Sequence, residues 1–380
     1  MRDVIANART LTPEGWRSDL AVLVEDGWIR ALAPMGEMPA DAQRHDRSGR
    51  SLLPGFIDCQ VNGGGGVLLN DTPTPDGVRA IGAAHRRFGT TGYLPTLISD
   101  TPEKMRTAIS AVDAAIAANV PGVLGIHLEG PFLSDARKGV HDPRFFHSPN
   151  APELLLAESL QRGVTLLTLA PECVPADDIR KLADAGVVIA AGHSNADYAT
   201  TRAALAAGVR GFTHLFNAMS PLASRAPGMV GAALEDDNAW CGVIVDGHHV
   251  DPATLRVALK AKPRGKIFLV TDAMPPVGAS DATFVLNGET ITMRNGICQT
   301  ATGTLAGSAL GMIDAVRNAI DMLDVPLDEA ARMASTYPAQ FLGLDATHGR
   351  IAEGCRADFT VVDDSLRVTE TWIAGASLAA

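Results

Sequence analysis

The sequence predicts an α/β protein in which a (β/α)8 TIM barrel is joined to a second, smaller β-sandwich domain built from both termini. Three observations predict it. Eight continuous apolar segments occupy the middle of the chain, Ala-rich amphipathic stretches separate most of them, and alternating strand-and-turn patterns are confined to the two ends. Continuous apolar runs are typical of strands buried on both faces, and eight such strands alternating with helices can close a barrel.

The predicted barrel strands are residues 56–61, 92–97, 123–128, 164–169, 187–191, 211–214, 241–245 and 267–270. The amphipathic segments 101–118, 177–185 and 199–207 are predicted helices between them. The alternative is a doubly wound open sheet. That fold would carry a GxGxxG turn after its first strand, and the glycine run at 63–66 lacks this spacing.

The two ends of the chain predict a common small domain. Segments 19–24 and 28–32 near the N-terminus, and 358–362 and 369–373 near the C-terminus, are strand-like and separated by turns. We therefore predict three parts. Residues 1–52 form the N-terminal part of the small β domain, 53–348 form the barrel, and 349–380 form the C-terminal part of the small domain.

Composition narrows the class of protein. The 380 residues are 46% hydrophobic and 20% charged, which is typical of a globular chain. A net charge of -11 without a basic stripe argues against nucleic-acid and anionic-membrane partners. The five cysteines contain no CxxC pair, so reduced thiols and a cytoplasmic location are expected. No signal peptide and no apolar run of about 18 residues is present, so no membrane span is predicted.

Metal-competent side chains recur where the predicted strands end. Glu129 follows the third strand, His193 the fifth and His214 closes the sixth. Catalysis in such barrels takes place at the carboxyl ends of the strands, and two imidazoles with one carboxylate suit a divalent metal that keeps a position open. Any one of these residues alone could be an ordinary buried polar group. Their collection at one rim favours a metal site.

Asp272 follows the eighth predicted strand and is the candidate proton carrier. An apolar strand before it would hold the carboxylate partly desolvated, where it can accept a proton from water and return it to a leaving group. The alternative is a helix N-cap. Pro275 and Pro276 follow instead of a helix-like stretch, which favours the catalytic interpretation.

Eight short motifs carry a resemblance to a known family. They are LPGFID at 53–58, HLEGPF at 127–132, KGVH at 138–141, GHS at 192–194, HLFNAM at 214–219, DGHH at 246–249, TDA at 271–273 and LAGS at 305–308. In this order and at this spacing, the chain resembles the N-acetylglucosamine-6-phosphate deacetylases of the amidohydrolase superfamily from end to end.

The resemblance implies a reaction and a set of site residues. The reaction is hydrolysis of the N-acetyl group of N-acetyl-D-glucosamine 6-phosphate to D-glucosamine 6-phosphate and acetate, in amino-sugar metabolism. It places Glu129, His193 and His214 on metal ligands, Asp272 on the general base and acid, and His141 beside the scissile carbonyl. The implied substrate-binding residues are Val140, His141, Asn217, Ala218, Arg225, Asp246, His249, Leu305, Ala306 and Gly307.

Some of these assignments have a plain alternative. Arg225 is a natural phosphate clamp, but its turn-like loop also suits a solvated surface cation. His249 could be an ordinary histidine at a helix start, and the loop that carries His141 could be a mobile lid or only a connection. The resemblance further implies a homodimer in which a residue of one subunit, for example His248 or His249, completes the phosphate site of its neighbour.

The first strand departs from the pattern of many amidohydrolases. Gln60 and Asn62 stand where a His-x-His pair would supply a second metal site, and amide side chains are poor ligands for transition metals. No lysine ends the fourth strand. We therefore predict one divalent metal ion per subunit, with zinc as the default and iron, cobalt or manganese as other fits.

Three rival functions remain at this point. An amidohydrolase acting on a cyclic amide, such as a dihydroorotase, would typically need the two-metal arrangement that Gln60 and Asn62 argue against. An N-acetylgalactosamine-6-phosphate deacetylase differs by one hydroxyl epimer, and the sequence does not separate it from the main hypothesis. A hydrolase-like structural protein without activity is disfavoured by the intact candidate ligands and Asp272.

Overall fold

A computed structural model describes residues 2–379 and contains the predicted barrel. Its wall is one eight-stranded sheet in which each strand pairs in parallel with its neighbour in sequence. The strands are β1 (Phe56–Val61), β2 (Thr90–Ile98), β3 (Gly125–Glu129), β4 (Val164–Leu169), β5 (Val188–Ala191), β6 (Gly211–Phe212), β7 (Trp240–Val243) and β8 (Ile267–Leu269).

The chain that follows β8 closes the barrel against β1. Val61 and Ala273 form a parallel bridge, and the Asp272 N–H donates to the Gln60 carbonyl at 3.1 Å. The Asn62 N–H donates to the Ala273 carbonyl at 2.9 Å. The closure therefore brings the ends of the first and last strands together at one rim, and the predicted fold class is confirmed.

Helices follow the strands in the order expected for such a barrel. The α-helices are α1 (Pro75–Arg86), α2 (Pro102–Ala117), α3 (Ala151–Ala157), α4 (Ala176–Asp184), α5 (Tyr198–Ala207), α6 (Gly228–Glu235), α7 (Pro252–Ala261), α8 (Met312–Leu323), α9 (Leu327–Met333) and α10 (Thr336–Leu342). Short 3-10 helices span Met35–Glu37, Asp135–Arg137 and Pro143–Phe145. Across residues 2–379, every helix is too short or too polar to cross a membrane.

Helix α2 illustrates how local sequence sets these bounds. The Thr101 hydroxyl accepts a hydrogen bond from the Lys104 N–H at 3.2 Å, and Pro102 occupies the first helical position. A threonine N-cap followed by proline is a strong start signal because the first helical N–H groups have no partner within the helix. The helix thus begins one residue inside the predicted segment 101–118.

Both chain ends contribute to the small domain. One sheet has the strand order Gly15–Arg17, Arg9–Thr12, Ser51–Pro54, Phe359–Val362, Val368–Ile373 and Ala376–Ala379. The other has the order Trp28–Ala33, Ala21–Glu25, Arg2–Ala6 and Gln43–Asp46. Side chains from the two sheets, including Val22, Phe359 and Trp372, share one apolar core. Strand Ser51–Pro54 extends across the boundary proposed between residues 52 and 53, and the exact domain limits stay predictions.

A four-stranded antiparallel sheet between β8 and α8 was not predicted. It consists of Thr283–Leu286, Glu289–Arg294, Ile297–Gln299 and Leu305–Ser308. Its Asn287 side chain donates to the Val140 carbonyl at 3.0 Å, so the sheet lies against the loop after β3. A two-stranded ribbon, Gly63–Gly64 with Val67–Leu68, lies directly after β1. These additions surround the rim where the barrel strands end.

Candidate active site

Three of the predicted residues converge on one point at the barrel rim. His193 Nε2 and His214 Nε2 are 3.1 Å apart, and they lie 3.3 and 3.1 Å from Glu129 Oε1. All three side chains are buried, and one ligand atom from each falls within 4.8 Å of the others. Two imidazole nitrogens and a carboxylate fit a divalent metal ion with an open coordination position.

The backbone turns sharply at the residues that carry the polar groups. His193, His214 and Asp272 have φ values of 46°, 30° and 52°, in the left-handed region. Such a conformation costs a non-glycine residue about 1–3 kcal/mol, so the surrounding barrel must impose it. Strain of this kind clusters at functional sites, and here it falls on three of the four central residues.

The orientation of His193 is fixed from the loop after β3. Its Nδ1 lies 2.9 Å from the Arg137 carbonyl oxygen, which can only accept, so Nδ1 carries the proton. The lone pair of Nε2 is therefore free on the side of Glu129, as a metal ligand requires. Among the described residues, His214 Nδ1 has no hydrogen-bond partner.

Glu129 is an ionised carboxylate in this setting. Burial raises its pKa, but hydrogen bonds from His193 and His214, with the charge of His193 and His141, outweigh burial and hold the pKa well below its usual value. The carboxylate is thus ionised beside two imidazoles, an environment that a cation would stabilise further.

Asp272 lies beside the cluster and is held by two amides. Its Oδ1 accepts from Gln60 Nε2 at 3.0 Å and from Asn62 Nδ2 at 2.7 Å. Gln60 Nε2 also donates to Glu129 Oε1 at 3.1 Å. Burial, together with the charge of Glu129, raises the pKa of Asp272 to about 6. A carboxyl with this pKa can both accept and donate a proton near neutral pH. The sequence alone predicts for these two amides only that they are poor metal ligands.

His141 presents a hydrogen-bond donor to the same cavity. The Ser99 N–H donates to His141 Nδ1 at 3.3 Å, so the neutral ring carries its proton on Nε2. Burial lowers the pKa of His141 to about 3, with a further contribution from His193, which keeps the ring neutral. Nε2 lies 3.8 Å from Glu129 Oε2, within the cluster.

A cavity of about 260 Å³ opens over these groups and collects most of the predicted substrate-binding residues. Those that line it are Val140, His141, Asn217, Ala218, His249, Leu305 and Gly307. Ala306 is fully buried behind the lining. Asp246 also lies behind it, where its Oδ2 accepts from His249 Nδ1 at 2.6 Å. This hydrogen bond fixes the orientation of the His249 ring at the cavity wall.

The cavity wall also contains residues that were not predicted. Leu286 comes from the unpredicted four-stranded sheet, Thr304 directly precedes the last strand of that sheet, and Met274 comes from the segment that closes the barrel. A signal for that sheet was present in the sequence. Asn-Gly dipeptides at 287–288 and 295–296 favour two-residue hairpin turns, and both asparagines and glycines have positive φ. The register Leu286–Glu289 and Arg294–Ile297 matches this turn length.

Arg225, one of the predicted substrate-binding residues, does not line this cavity. Ala223 and Ala226 exchange main-chain hydrogen bonds of 3.0 and 3.2 Å, which places Arg225 in the exposed tip of a tight turn. His248 is exposed as well. Neither residue belongs to the cavity lining within this subunit.

The arrangement has close counterparts among known proteins. A family model described as "Amidohydrolase family" matches residues 51–378. An N-acetylgalactosamine-6-phosphate deacetylase from Shewanella sp. (strain ANA-3) is 44% identical, covering 97% of this chain and 94% of that protein. The crystal structure of N-acetylglucosamine-6-phosphate deacetylase from Pasteurella multocida is 35% identical, with a TM-score of 0.96 over 100% of both chains.

A third relative was solved with a bound sugar phosphate. It is a variant of the N-acetyl-D-glucosamine-6-phosphate deacetylase from Mycobacterium smegmatis in complex with N-acetyl-D-glucosamine-6-phosphate. It is 33% identical, with a TM-score of 0.89, covering 100% of this chain and 99% of that chain. With a family model that spans most of the chain and relatives above 30% identity over nearly its whole length, this chain belongs to the amidohydrolase family.

Proposed function

We propose that this protein hydrolyses the N-acetyl group of N-acetyl-D-glucosamine 6-phosphate to D-glucosamine 6-phosphate and acetate. The observation that carries the proposal is the position of Asp272, whose carboxyl shares one amide donor with Glu129 of the two-histidine cluster. A proton carrier beside a three-ligand metal site is the arrangement that metal-assisted amide hydrolysis requires. The names of the relatives supply the substrate class.

One divalent ion per subunit would be held by Glu129, His193 and His214, with zinc as the first choice and iron, cobalt or manganese as alternatives. When bound, such an ion polarises the substrate carbonyl and makes a coordinated water more acidic. Gln60 and Asn62 face Asp272 with their amide nitrogens, so they act as hydrogen-bond donors there. This supports a single metal site.

Asp272 and His141 carry out the remaining steps, which are proton transfer and stabilisation of negative charge. Asp272 accepts the proton of the attacking water as its oxygen adds to the acetyl carbon, and then delivers that proton to the sugar nitrogen as the C–N bond breaks. The His141 Nε2–H can donate to the acetyl oxygen as negative charge develops on it. Because the proton passes from water to nitrogen, Asp272 is ionised again after acetate has formed.

N-acetyl-D-galactosamine 6-phosphate is a second candidate substrate. The relative with 44% identity carries that activity in its name, and the two solved structures described above, which are named for the gluco epimer, are 35% and 33% identical. The two sugars differ only in the orientation of one hydroxyl. The choice between them therefore depends on the contacts that the cavity wall makes with that hydroxyl.

Acetate release from a panel of N-acetylated amino sugars tests both candidates. The panel contains the gluco and galacto epimers, each with and without the 6-phosphate, incubated with zinc-loaded protein. We expect turnover of the phosphorylated sugars, with the ratio of kcat/KM values identifying the preferred epimer. A protein that releases no acetate from any phosphorylated sugar would refute the proposed function.

We further propose a homodimer in which Arg225 of one subunit binds the phosphate in the cavity of the other. Arg225 is exposed and lies outside its own subunit's cavity lining, and a guanidinium matches the geometry of a phosphate.

The five cysteines are all free thiols, which supports a reducing, cytoplasmic location. No nucleic acid or membrane partner is proposed.

Mixed dimers test the role of Arg225. We expect Arg225→Ala to raise KM for the phosphorylated sugar and to leave turnover of the unphosphorylated sugar unchanged. Co-expression of Arg225→Ala with Asp272→Asn chains should restore activity, because one site of each mixed dimer then combines an intact Asp272 with the partner's intact arginine. If mixing restores nothing although mixed dimers form, Arg225 does not act across the interface.

A further inference from the structure

A small cavity lies inside the barrel, beneath the cluster formed by Glu129, His193 and His214. The cavity has a volume of about 10 Å³, which is close to the minimum that holds one water molecule. Most of its wall is apolar, with Leu166, Phe212 and Phe268 among the lining residues. Its polar lining includes Gln60, His127, Thr213 and His214. The space therefore has the size and the chemistry of a site for a single water.

A chain of hydrogen bonds between side chains crosses the barrel at this level. Thr96 Oγ1 lies 3.1 Å from His127 Nδ1, and His127 Nε2 lies 2.8 Å from Thr168 Oγ1. Thr168 Oγ1 is in turn 2.5 Å from Thr213 Oγ1. Whichever direction the protons point along this chain, the Thr213 hydroxyl keeps one further hydrogen bond to give or accept.

The metal ligand His214 also lines this cavity, and one of its ring nitrogens has no partner. Nε2 faces Glu129 and His193 at 3.1 Å, while Nδ1 is buried without a hydrogen-bond partner in residues 2–379. A metal-binding histidine nearly always donates its second ring N–H to a carbonyl, a carboxylate or a water. His193 follows this rule through the Arg137 carbonyl. Within residues 2–379, no protein group fills the equivalent role for His214.

We propose that one ordered water occupies this cavity, accepts the Nδ1–H of His214 and bonds to Thr213 Oγ1. The water fixes the proton of His214 on Nδ1 and so keeps Nε2 as an unprotonated metal ligand. His127, Thr168 and Thr213 act as positioning residues, because they hold the water through the hydrogen-bonded chain. The inference rests on the proposed function in one respect, namely that Nε2 of His214 binds a metal ion.

A high-resolution crystal structure of the zinc-loaded protein tests the water directly. We expect a density peak in the barrel cavity within about 3 Å of His214 Nδ1. A cavity that is dry in a map that resolves other buried waters would overturn the proposal. This measurement needs no variant, so it remains decisive if a substituted chain fails to fold.

A matched pair of variants tests what the water does. Ala190 lines the cavity, whereas Ala191, the next residue of β5, does not and faces the opposite side of the strand. Ala190→Val fills the space for the water, and Ala191→Val overpacks the same strand without entering it. By competition with a chelator, we expect Ala190→Val to weaken zinc binding about 10–100-fold relative to Ala191→Val. Equal zinc affinities would overturn the proposal. Neither readout measures turnover, so failure of the deacetylase assay leaves both tests intact.

Discussion

Replacement of Asp272 by asparagine should lower kcat about 10³-fold or more while the metal stays bound. Asparagine keeps the shape of the side chain and can still meet the amides of Gln60 and Asn62, but it cannot accept the proton of the attacking water or return one to the sugar nitrogen. A 10³-fold loss corresponds to about 4 kcal/mol of transition-state stabilisation. Steady-state acetate release, together with metal analysis of the same samples, measures both effects.

Asp358→Asn is the matched control for this variant. Burial raises the pKa of Asp358 to about 6, as for Asp272, but Asp358 lies in the small domain and accepts from the Ala374 N–H at 2.6 Å. We expect Asp358→Asn to affect thermal stability and to leave kcat unchanged. Comparable losses of kcat in the two variants would point to a general effect of removing a buried carboxyl, and Asp272 would lose its assignment as the proton carrier.

Replacement of Glu129 by glutamine should remove most of the bound metal. The variant loses the only anionic member of the cluster, and a neutral amide is a poor ligand for a transition metal. The expected drop in metal affinity exceeds the roughly 10–100-fold that loss of an outer hydrogen-bond partner costs. Metal content per chain after dialysis measures the effect. Acetate release should fall in parallel and recover in part when zinc is supplied in excess.

Glu153→Gln is the matched control, because Glu153 is also a buried carboxylate bound to a histidine, His147, at 2.7 Å. It lies in α3, away from the cavity, so its replacement should leave metal content unchanged. The wild-type protein should hold close to one equivalent of metal per chain. A value near two would contradict the single-metal proposal and would give Gln60 and Asn62 a different role.

The barrel was predictable because its sequence signal is local and repeated. Segments such as 164–169 are continuously apolar as a consequence of burial on both faces, and the strand occupies the same residues in the structure. The order of the strands then places the residues after each of them at one rim. For this reason the sequence alone predicts that Glu129, His193 and His214 lie close together.

The details of the site depend on contacts that sequence patterns do not contain. The donation from Asn62 to Asp272 joins residues 210 positions apart, and it exists only because the segment after β8 closes against β1. The position of Arg225 outside its own cavity likewise follows from the fold of a short turn. The four-stranded sheet after β8 is different, because its Asn-Gly turns at 287–288 and 295–296 are local sequence signals that favour hairpins.

The left-handed backbone at His193, His214 and Asp272 has a consequence for protein engineering. Grafting these side chains onto another barrel at matching strand ends would not reproduce their directions, because an ordinary strand end leaves the chain in an extended conformation. A designer would have to copy the sharp turn after each strand and supply enough packing to offset its cost of about 1–3 kcal/mol per residue. The unit to transfer is therefore the set of three strained strand-to-loop junctions, together with the side chains that they carry.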